Sequence, residues 1–377
     1  MSGVAVAGVG LHPFGRFDDR SVTEMGVHAV QAALAEAGVG RGDFQAVFSA
    51  SVYGGVASGH KVLTAMGMTG MPIVNVEAGC ASGGAALMLG AQAIRSGQYD
   101  TVLVVGTEKM PRGMIRSSFF EPWREQAGLN ATPAYFALRA QRLMRESGVT
   151  KEQLAAVVVK NRRHGAMNPD AMFQKEVTAD DVLASRIVCE PLHLWMLCSP
   201  NEGAAAVVLR RASGAGGEVR LAAAALRSHL PGDVLSESTP MSGLADDTIT
   251  PPSTLAAQAA YEEAGIGPED LDVVECQDTD AARELISYEE LGLCGPGEAG
   301  KLVDDGTVAL GGRLPVNVSG GLLSKGEPLG ASALGQVVDL VRQLRGENGD
   351  RQVEGARVAL GHTVGRGANA SVTILTR

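Results

Sequence analysis

The chain has 377 residues, is 45% hydrophobic but only 4% aromatic, and contains 49 glycines. This length suits two domains or one large duplicated fold, with Ala, Val and Gly packing tight helix-on-sheet layers. A formal net charge of −10 argues against a nucleic-acid or anionic-membrane partner, because either would repel the chain.

Five cysteines (Cys80, Cys189, Cys198, Cys276, Cys294) leave one unpaired in any disulfide scheme. None forms a C-x-x-C pair, so no metal site is expected. The start, Met1-Ser2-Gly3-Val4-Ala5, lacks a basic region and a cleavage site, so no secretory leader is expected. The longest apolar region, Met71 to Ile94, carries Glu77 and many small residues, and reads as a strand plus a buried helix, not a membrane span. A reducing cytoplasm is the expected compartment.

In chain order, Ala32 to Ser51 reads as a helix stopped by glycine, a short turn and an apolar strand. Next, Cys80 stands in Asn75-Val76-Glu77-Ala78-Gly79-Cys80-Ala81-Ser82-Gly83-Gly84, at the start of a small-residue helix ending near Ser96. A thiol at a helix N-terminus faces unpaired N–H groups and the positive end of the dipole. Both favour the thiolate, which is the nucleophilic form. Gly83 and Gly84 permit close approach of other backbone, as a buried helix carrying a reactive group requires. The strand Thr101 to Gly106 follows.

An insertion occupies residues 108–197, with helix patterns at Pro133 to Gly148 and Thr150 to Arg162 and turns around His164 to Pro169. Inserted segments on a rigid scaffold either cover a site or stabilise the fold. Beyond it, Ala259 to Asp278 repeats the first pattern at constant offset, matching Glu36 with Glu263, Gly38 with Gly265 and Asp43 with Asp270. A glycine-rich turn, the helix Ala331 to Leu344 and the strand Ala356 to Gly361 follow, in the order seen after the first copy. Two related α/β halves are therefore expected, meeting near Ser213 to Gly217. The first half comprises 1–107 and 198–213, and the second 214–377.

Taken together, AGCASGGAAL around Cys80, VKNRRHGAMNP (Val159 to Pro169), CSPNEGAAAVVL (Cys198 to Leu209), YEELGLCGPGE (Tyr288 to Glu298), GGRLPVNVSGG (Gly311 to Gly321) and KGEPLGAS (Lys325 to Ser332) resemble the thiolase superfamily, in particular its sterol-carrier-type and lipid-transfer-type branches. The resemblance spans essentially the whole chain. It implies a duplicated five-layered α-β-α-β-α sandwich, a homodimer, a coenzyme A or carrier-protein thioester as substrate, no tightly bound cofactor, and a possible small OB-fold and zinc-ribbon partner protein.

The departures from the family pattern bear on chemistry. Gly326-Glu327-Pro328 stands in place of G-H-P, and Gln277-Asp278-Thr279-Asp280 in place of H-D-C-F or N-E-A-F. Thr363-Val364-Gly365-Arg366-Gly367, preceded by His362, stands in place of C-x-G-G-G. By resemblance, Cys80 is the acylated nucleophile, and the backbone N–H groups of Cys80 and Gly365 bind the tetrahedral oxyanion. The second cysteine and the enolate-binding histidine are missing. Glu327 is assigned as general base towards an incoming acceptor, and His362 as a candidate for the absent imidazole. Gln277 is assigned to hold a water, Thr279, Asp280 and Gly326 to shape the pocket, and Arg162, Arg163 and His164 to meet coenzyme A phosphates, with a solvated helix face as the plainer reading of that cluster. The expected function is acyl transfer through Cys80 without ordinary thiolysis. The alternatives are a retro-aldolase-like lyase and a non-catalytic scaffold subunit.

Overall fold

The computed structural model describes residues 3–113, 126, 131–230, 249–365 and 369–377. The first half runs β1 (Val4–Gly15), α1 (Val22–Ala37), β2 (Ala46–Ala50), α2 (Ser58–Ala65), β3 (Ile73–Val76), α3 (Ser82–Arg95) and β4 (Thr101–Lys109). The insertion supplies α4 (Thr132–Ser147), α5 (Lys151–Ala166), α6 (Ala179–Ala184) and the short pair β5 (Ile187–Cys189) and β6 (Leu192–His193). β7 (Glu202–Arg211) completes the first half. The second half contains β8 (Arg220–Ser228), α7 (Pro252–Ala264), β9 (Val273–Glu275), α8 (Ala281–Glu290), α9 (Ala299–Asp304), α10 (Gly321–Ser324), α11 (Leu329–Arg345), β10 (Val358–Val364) and β11 (Asn369–Thr376).

The strands lie in the order β3-β2-β4-β7-β1-β8-β11-β10-β9. This order is the expected duplication. Reading outward from the junction, β1-β7-β4-β2 in one half matches β8-β11-β10-β9 in the other. Both halves share the same senses, antiparallel twice and then parallel. The first half adds β3, parallel to β2; a parallel bridge between Val274 and Val316 takes its place in the second. Between β1 and β8 the register holds one pair, Ala5 with Arg220. The repeated sequence at the ends of α1 and α7 has a local cause. Gly38 (φ 65°) and Gly265 (φ 69°) terminate these helices in the left-handed conformation that glycine adopts without a Cβ penalty.

Alternation along the strands sorts the side chains into layers. Ala205, Val207 and Leu209 of β7 face inward, packing with Ala86 and Leu87 of α3 and Leu334 and Val338 of α11. Ala204, Ala206 and Val208 face outward against Met25 and Ala29 of α1 and Val62 of α2. In the second half, Ala359 and Leu375 face the same central helices, whereas Leu360, Val372 and Ile374 face α7 and α8. Two outer helical layers, the two halves of the nine-stranded sheet and a central helical layer give the expected five layers. The insertion helices α4 and α5 join the outer core of the second half through Ala137, Leu143, Leu154 and Val158. No helix among the described residues is long and apolar enough to cross a membrane.

Small residues set the spacing of the central layer. A Cβ on Gly84 of α3 would lie 2.2 Å from Ser371 Oγ, and one on Gly106 of β4 would lie 2.3 Å from the Gly330 carbonyl at the start of α11. Gly106 joins one half to the other backbone to backbone, and neither side has a flexible group that can yield. Gly106→Ala is therefore expected to destabilise the fold by about 1–3 kcal/mol, read as a lower midpoint in chemical denaturation. An unchanged midpoint would show that the two halves are not held at this contact.

Candidate active site

Cys80 and Glu327 occupy corresponding places in the two halves, each just before a central helix. Cys80 ends the turn 78–81 that precedes α3. Gly79 (φ 60°) makes the turn, and Ser82 Oγ ties it by accepting the Ala78 N–H (2.8 Å) and donating to the Gly79 carbonyl (2.5 Å). Glu327 lies in the loop entering α11. Gly326 (φ 105°) is obligatory there, because a Cβ would fall 1.7 Å from Asn201 Nδ2. Cys80 keeps 8% of its surface exposed and Glu327 keeps 4%.

Polar anchors on either side hold the Glu327 loop. Upstream, the Asp278 carboxylate accepts the N–H groups of Leu322 (2.6 Å) and Leu323 (3.1 Å) at the first turn of α10. Downstream, Glu108 at the end of β4 accepts the N–H of Gly330 (3.1 Å) along with those of Val52 and Tyr53. Beneath the loop, Lys325 pairs with buried Asp339, which also meets Arg351.

The Glu327 carboxylate accepts hydrogen bonds from three groups. Gln277 Nε2 donates to Oε1 (3.0 Å), the Cys198 thiol donates to Oε2 (3.0 Å), and the Cys80 thiol donates as well. Burial pushes the Glu327 carboxyl up, and these donors oppose that shift. Burial, and then the Glu327 charge, push the Cys198 thiol well above its ordinary range. The site thus contains two thiols on one carboxylate.

Cys198 is the functional candidate that the sequence did not single out. It lies in the CSPNEG motif ahead of β7, away from both places where a second cysteine is expected. Its N–H donates to the Thr279 carbonyl (2.8 Å), and the neighbouring Ser199 carbonyl accepts the Glu327 N–H (3.2 Å). The signal available was its motif, next to a strand that runs through the central core.

Other expected residues sit differently. His362 is buried on β10 with both ring nitrogens engaged. Nδ1 accepts the Gln277 N–H (3.5 Å) and Nε2 meets Ser253 Oγ (3.1 Å). Burial pushes its pKa well below the ordinary range, so it is a neutral support for the Gln277 backbone. Gln277 Oε1 is buried with no partner among the described residues. Gly365 lies against the nucleophile turn, its α-carbon so close that a Cβ would be 2.3 Å from the Ala78 carbonyl. Its N–H, however, donates to the Asn369 carbonyl (2.6 Å) across the β10–β11 hairpin. The oxyanion donor expected there is therefore already bonded; Arg366 and Gly367 of the same motif lie outside the described residues.

Asp280 does not make the pocket polar as expected. It caps α8 by accepting the Arg283 N–H (3.0 Å) and forms a buried ion pair with Arg139 (2.5 Å). Thr279 lies beside this pair, with Oγ1 3.4 Å from Arg139 Nη2. The basic run on α5 does not form a phosphate-binding surface, because α5 is packed on most of its circumference. Lys160 is buried against Glu284, and His164 is buried with Nδ1 donating to the Asn317 carbonyl (2.9 Å) and Nε2 accepting the Leu310 N–H (3.1 Å). Burial lowers the His164 pKa to about 3. Arg162 stacks on the Phe173 ring at 3.9 Å, which leaves Arg163 alone exposed.

The fold has counterparts among known proteins. Residues 4–213 match the family described as thiolase, N-terminal domain, and residues 236–377 match that described as thiolase C-terminal domain-like. The acetyl-CoA acetyltransferase of Methanothermobacter thermautotrophicus is 36% identical over 396 residues, covering 100% of both chains. Benzoylsuccinyl-CoA thiolase subunit BbsB of Thauera aromatica is 37% identical, covering 98% of this chain and 96% of its own. Sterol carrier protein 2 of Oryctolagus cuniculus is 36% identical over 98% of this chain and 71% of its own. Among solved structures, the Ltp2-ChsH2(DUF35) aldolase is similar with a TM-score of 0.84 and 27% identity, over 100% of this chain and 98% of that one. Two family matches in sequence order, on a doubled α/β topology with a cysteine before the first central helix, establish that the chain belongs to the thiolase family.

Proposed function

We propose that the protein is an acyltransferase in which Cys80 takes an acyl group from a coenzyme A thioester and passes it to an acceptor, with Glu327 moving the proton. The observation that carries this reading is the Cys80 thiol donating directly to the Glu327 carboxylate. In the loading step, Glu327 takes the thiol proton, the Cys80 sulfur bonds to the acyl carbon, and the leaving coenzyme A thiolate receives that proton. In the transfer step, Glu327 takes a proton from the acceptor as it attacks. The acceptor–acyl bond forms, the Cys80–acyl bond breaks, and the proton returns to the Cys80 thiolate. The unpartnered Gln277 Oε1 is suited to accept a hydrogen bond from a water or from the acceptor.

Glu327 also argues against carbon–carbon bond chemistry through an enolate. An ionised carboxylate donates no hydrogen bond. At 4 Å it would repel an enolate by about 4 kcal/mol at an effective dielectric near 20. A second reading is supported by the likeness to the Ltp2-ChsH2(DUF35) aldolase: a lyase, or a scaffold subunit, acting with an OB-fold and zinc-ribbon partner. Acyl loading on Cys80 separates the two, because neither alternative requires it.

A homodimer belongs to the same proposal. β3 pairs with β2 along one edge and has no strand on the other among the described residues, while Val74 is 41% exposed. Open edges of this kind invite pairing with a second copy.

After incubation with acetyl-CoA, intact mass is expected to show one acetyl adduct on the wild type and none on Cys80→Ala; an adduct that persists in the variant would remove Cys80 from the mechanism. Glu327→Gln is expected to slow loading by 100-fold or more, roughly the contribution of one positioned base. For the wild type, loading should fall as pH drops through the raised Glu327 pKa, since only the ionised carboxylate accepts the proton; this acidic limb should be absent in Glu327→Gln. Sedimentation should report a wild-type dimer, and Val74→Lys should yield monomer. A monomeric wild type would refute the strand-pairing proposal.

A further inference from the structure

Cys198 takes part in none of these steps, yet its thiol is bonded to the group that performs them. We propose that Cys198 is a positioning residue: its thiol donates the hydrogen bond that keeps Glu327 in its proton-accepting form after Cys80 has been acylated. The inference rests on the acyl-transfer reading.

Loading changes the number of donors to the Glu327 carboxylate. Before loading, the carboxylate accepts from Cys80, Cys198 and Gln277. Acylation replaces the Cys80 S–H with an S–acyl bond and removes one donor. In the next step a buried carboxylate must remain ionised to take a proton from the acceptor. Two donors are left, one on each oxygen: Gln277 Nε2 on Oε1 and Cys198 Sγ on Oε2, both at 3.0 Å. A buried carboxylate that loses a donor shifts towards its neutral form.

The backbone is built to hold this contact. Pro200 and Glu327 form a parallel bridge, the Glu327 N–H donates to the Ser199 carbonyl, and the Cys198 N–H donates to the Thr279 carbonyl. The sulfur and the carboxylate are therefore carried on segments bonded to each other. Among the described residues the titratable groups around the carboxylate are few. Cys80 faces it from the start of α3 and Cys198 from the segment before β7. Asp278, after β9, acts on Cys198, and neutral His362 on β10 is engaged by the Gln277 backbone and Ser253. Lys325, two residues from Glu327, is directed to Asp339. Burial beside a carboxylate holds the Cys198 thiol protonated, which makes it a lasting donor and a poor nucleophile.

The test is an infrared pH titration of the Glu327 carboxyl band in the acetyl-Cys80 enzyme made with acetyl-CoA, the band being identified by its loss in Glu327→Gln. Cys198→Val, which has similar bulk and no S–H, is expected to move the midpoint up by about one pH unit, the scale of one hydrogen bond to a charged group. Cys198→Ser should bring it back. An unmoved midpoint in an acetylated Cys198→Val enzyme would overturn the proposal. If Cys198→Val fails to fold, the wild-type acetyl-enzyme decides the matter. Its Cys198 S–H stretch, identified by its loss in Cys198→Ser, should lie at the lowered frequency of a bonded thiol, and a free-thiol frequency would overturn the proposal. If Cys80 takes no acetyl group, the acyl-transfer reading has failed. The same titration on unloaded enzyme then still reports whether Cys198 supports the carboxylate.

Discussion

The constraint on which the rest depends is the close packing of α3 and α11 between the two sheets. Each central helix begins at the same end of its half-fold, and each is preceded by a reactive side chain. Because glycine and alanine let the helices and strands approach, Cys80 and Glu327 come within bonding reach. Bulkier residues at Gly83, Gly84 or Gly106 would separate the halves and with them the thiol and the carboxylate. Packing and chemistry are thus one problem, since the contacts that close the central layer also assemble the site.

The site uses buried charge sparingly. Glu327 has no cationic partner among the described residues and is held by three donors instead. That arrangement leaves the carboxylate ready to take a proton, whereas a salt bridge would hold it ionised and inert. Buried ion pairs such as Lys325 with Asp339 and Arg139 with Asp280 lie one layer back. They fix the loops carrying the site residues. Removing one partner of such a pair leaves a buried charge uncompensated, which is costly. These pairs act on position and leave the reacting atoms untouched.

An imidazole in the Glu327 position would donate a hydrogen bond to a developing negative charge; a carboxylate accepts one. In the proposed acyl transfer this change reverses the direction in which a proton moves, and so favours acceptors that arrive carrying a proton over carbanions that need stabilising. The missing second cysteine has a counterpart in Cys198, which reaches the same neighbourhood from the segment before β7. Its thiol is bonded to the carboxylate, so its influence passes through Glu327.

Much was legible in the sequence, for identifiable reasons. The repeat at Ala32 and Ala259 reports local structure, helix then glycine stop then strand, and local rules suffice for that. The setting of Cys80 could be read because its neighbours along the chain, Gly79, Ser82, Gly83 and Gly84, build its environment. Other assignments depended on contacts across the chain and could not be read this way. The cationic run Arg162-Arg163-His164 looks like a surface until α5 is packed into the second half's outer core. His362 looks like a candidate base until its nitrogens are seen bonded to Gln277 and Ser253. Asp280 looks like a pocket group until Arg139, far away in sequence, pairs with it. The sequence by itself determined the doubled topology and the placing of Cys80 before a central helix, since both are written in short contiguous patterns. Only the tertiary structure decided that Glu327 faces that sulfur and that Cys198 stands beside it, because a hydrogen bond between residues 129 positions apart leaves no periodic trace in the chain.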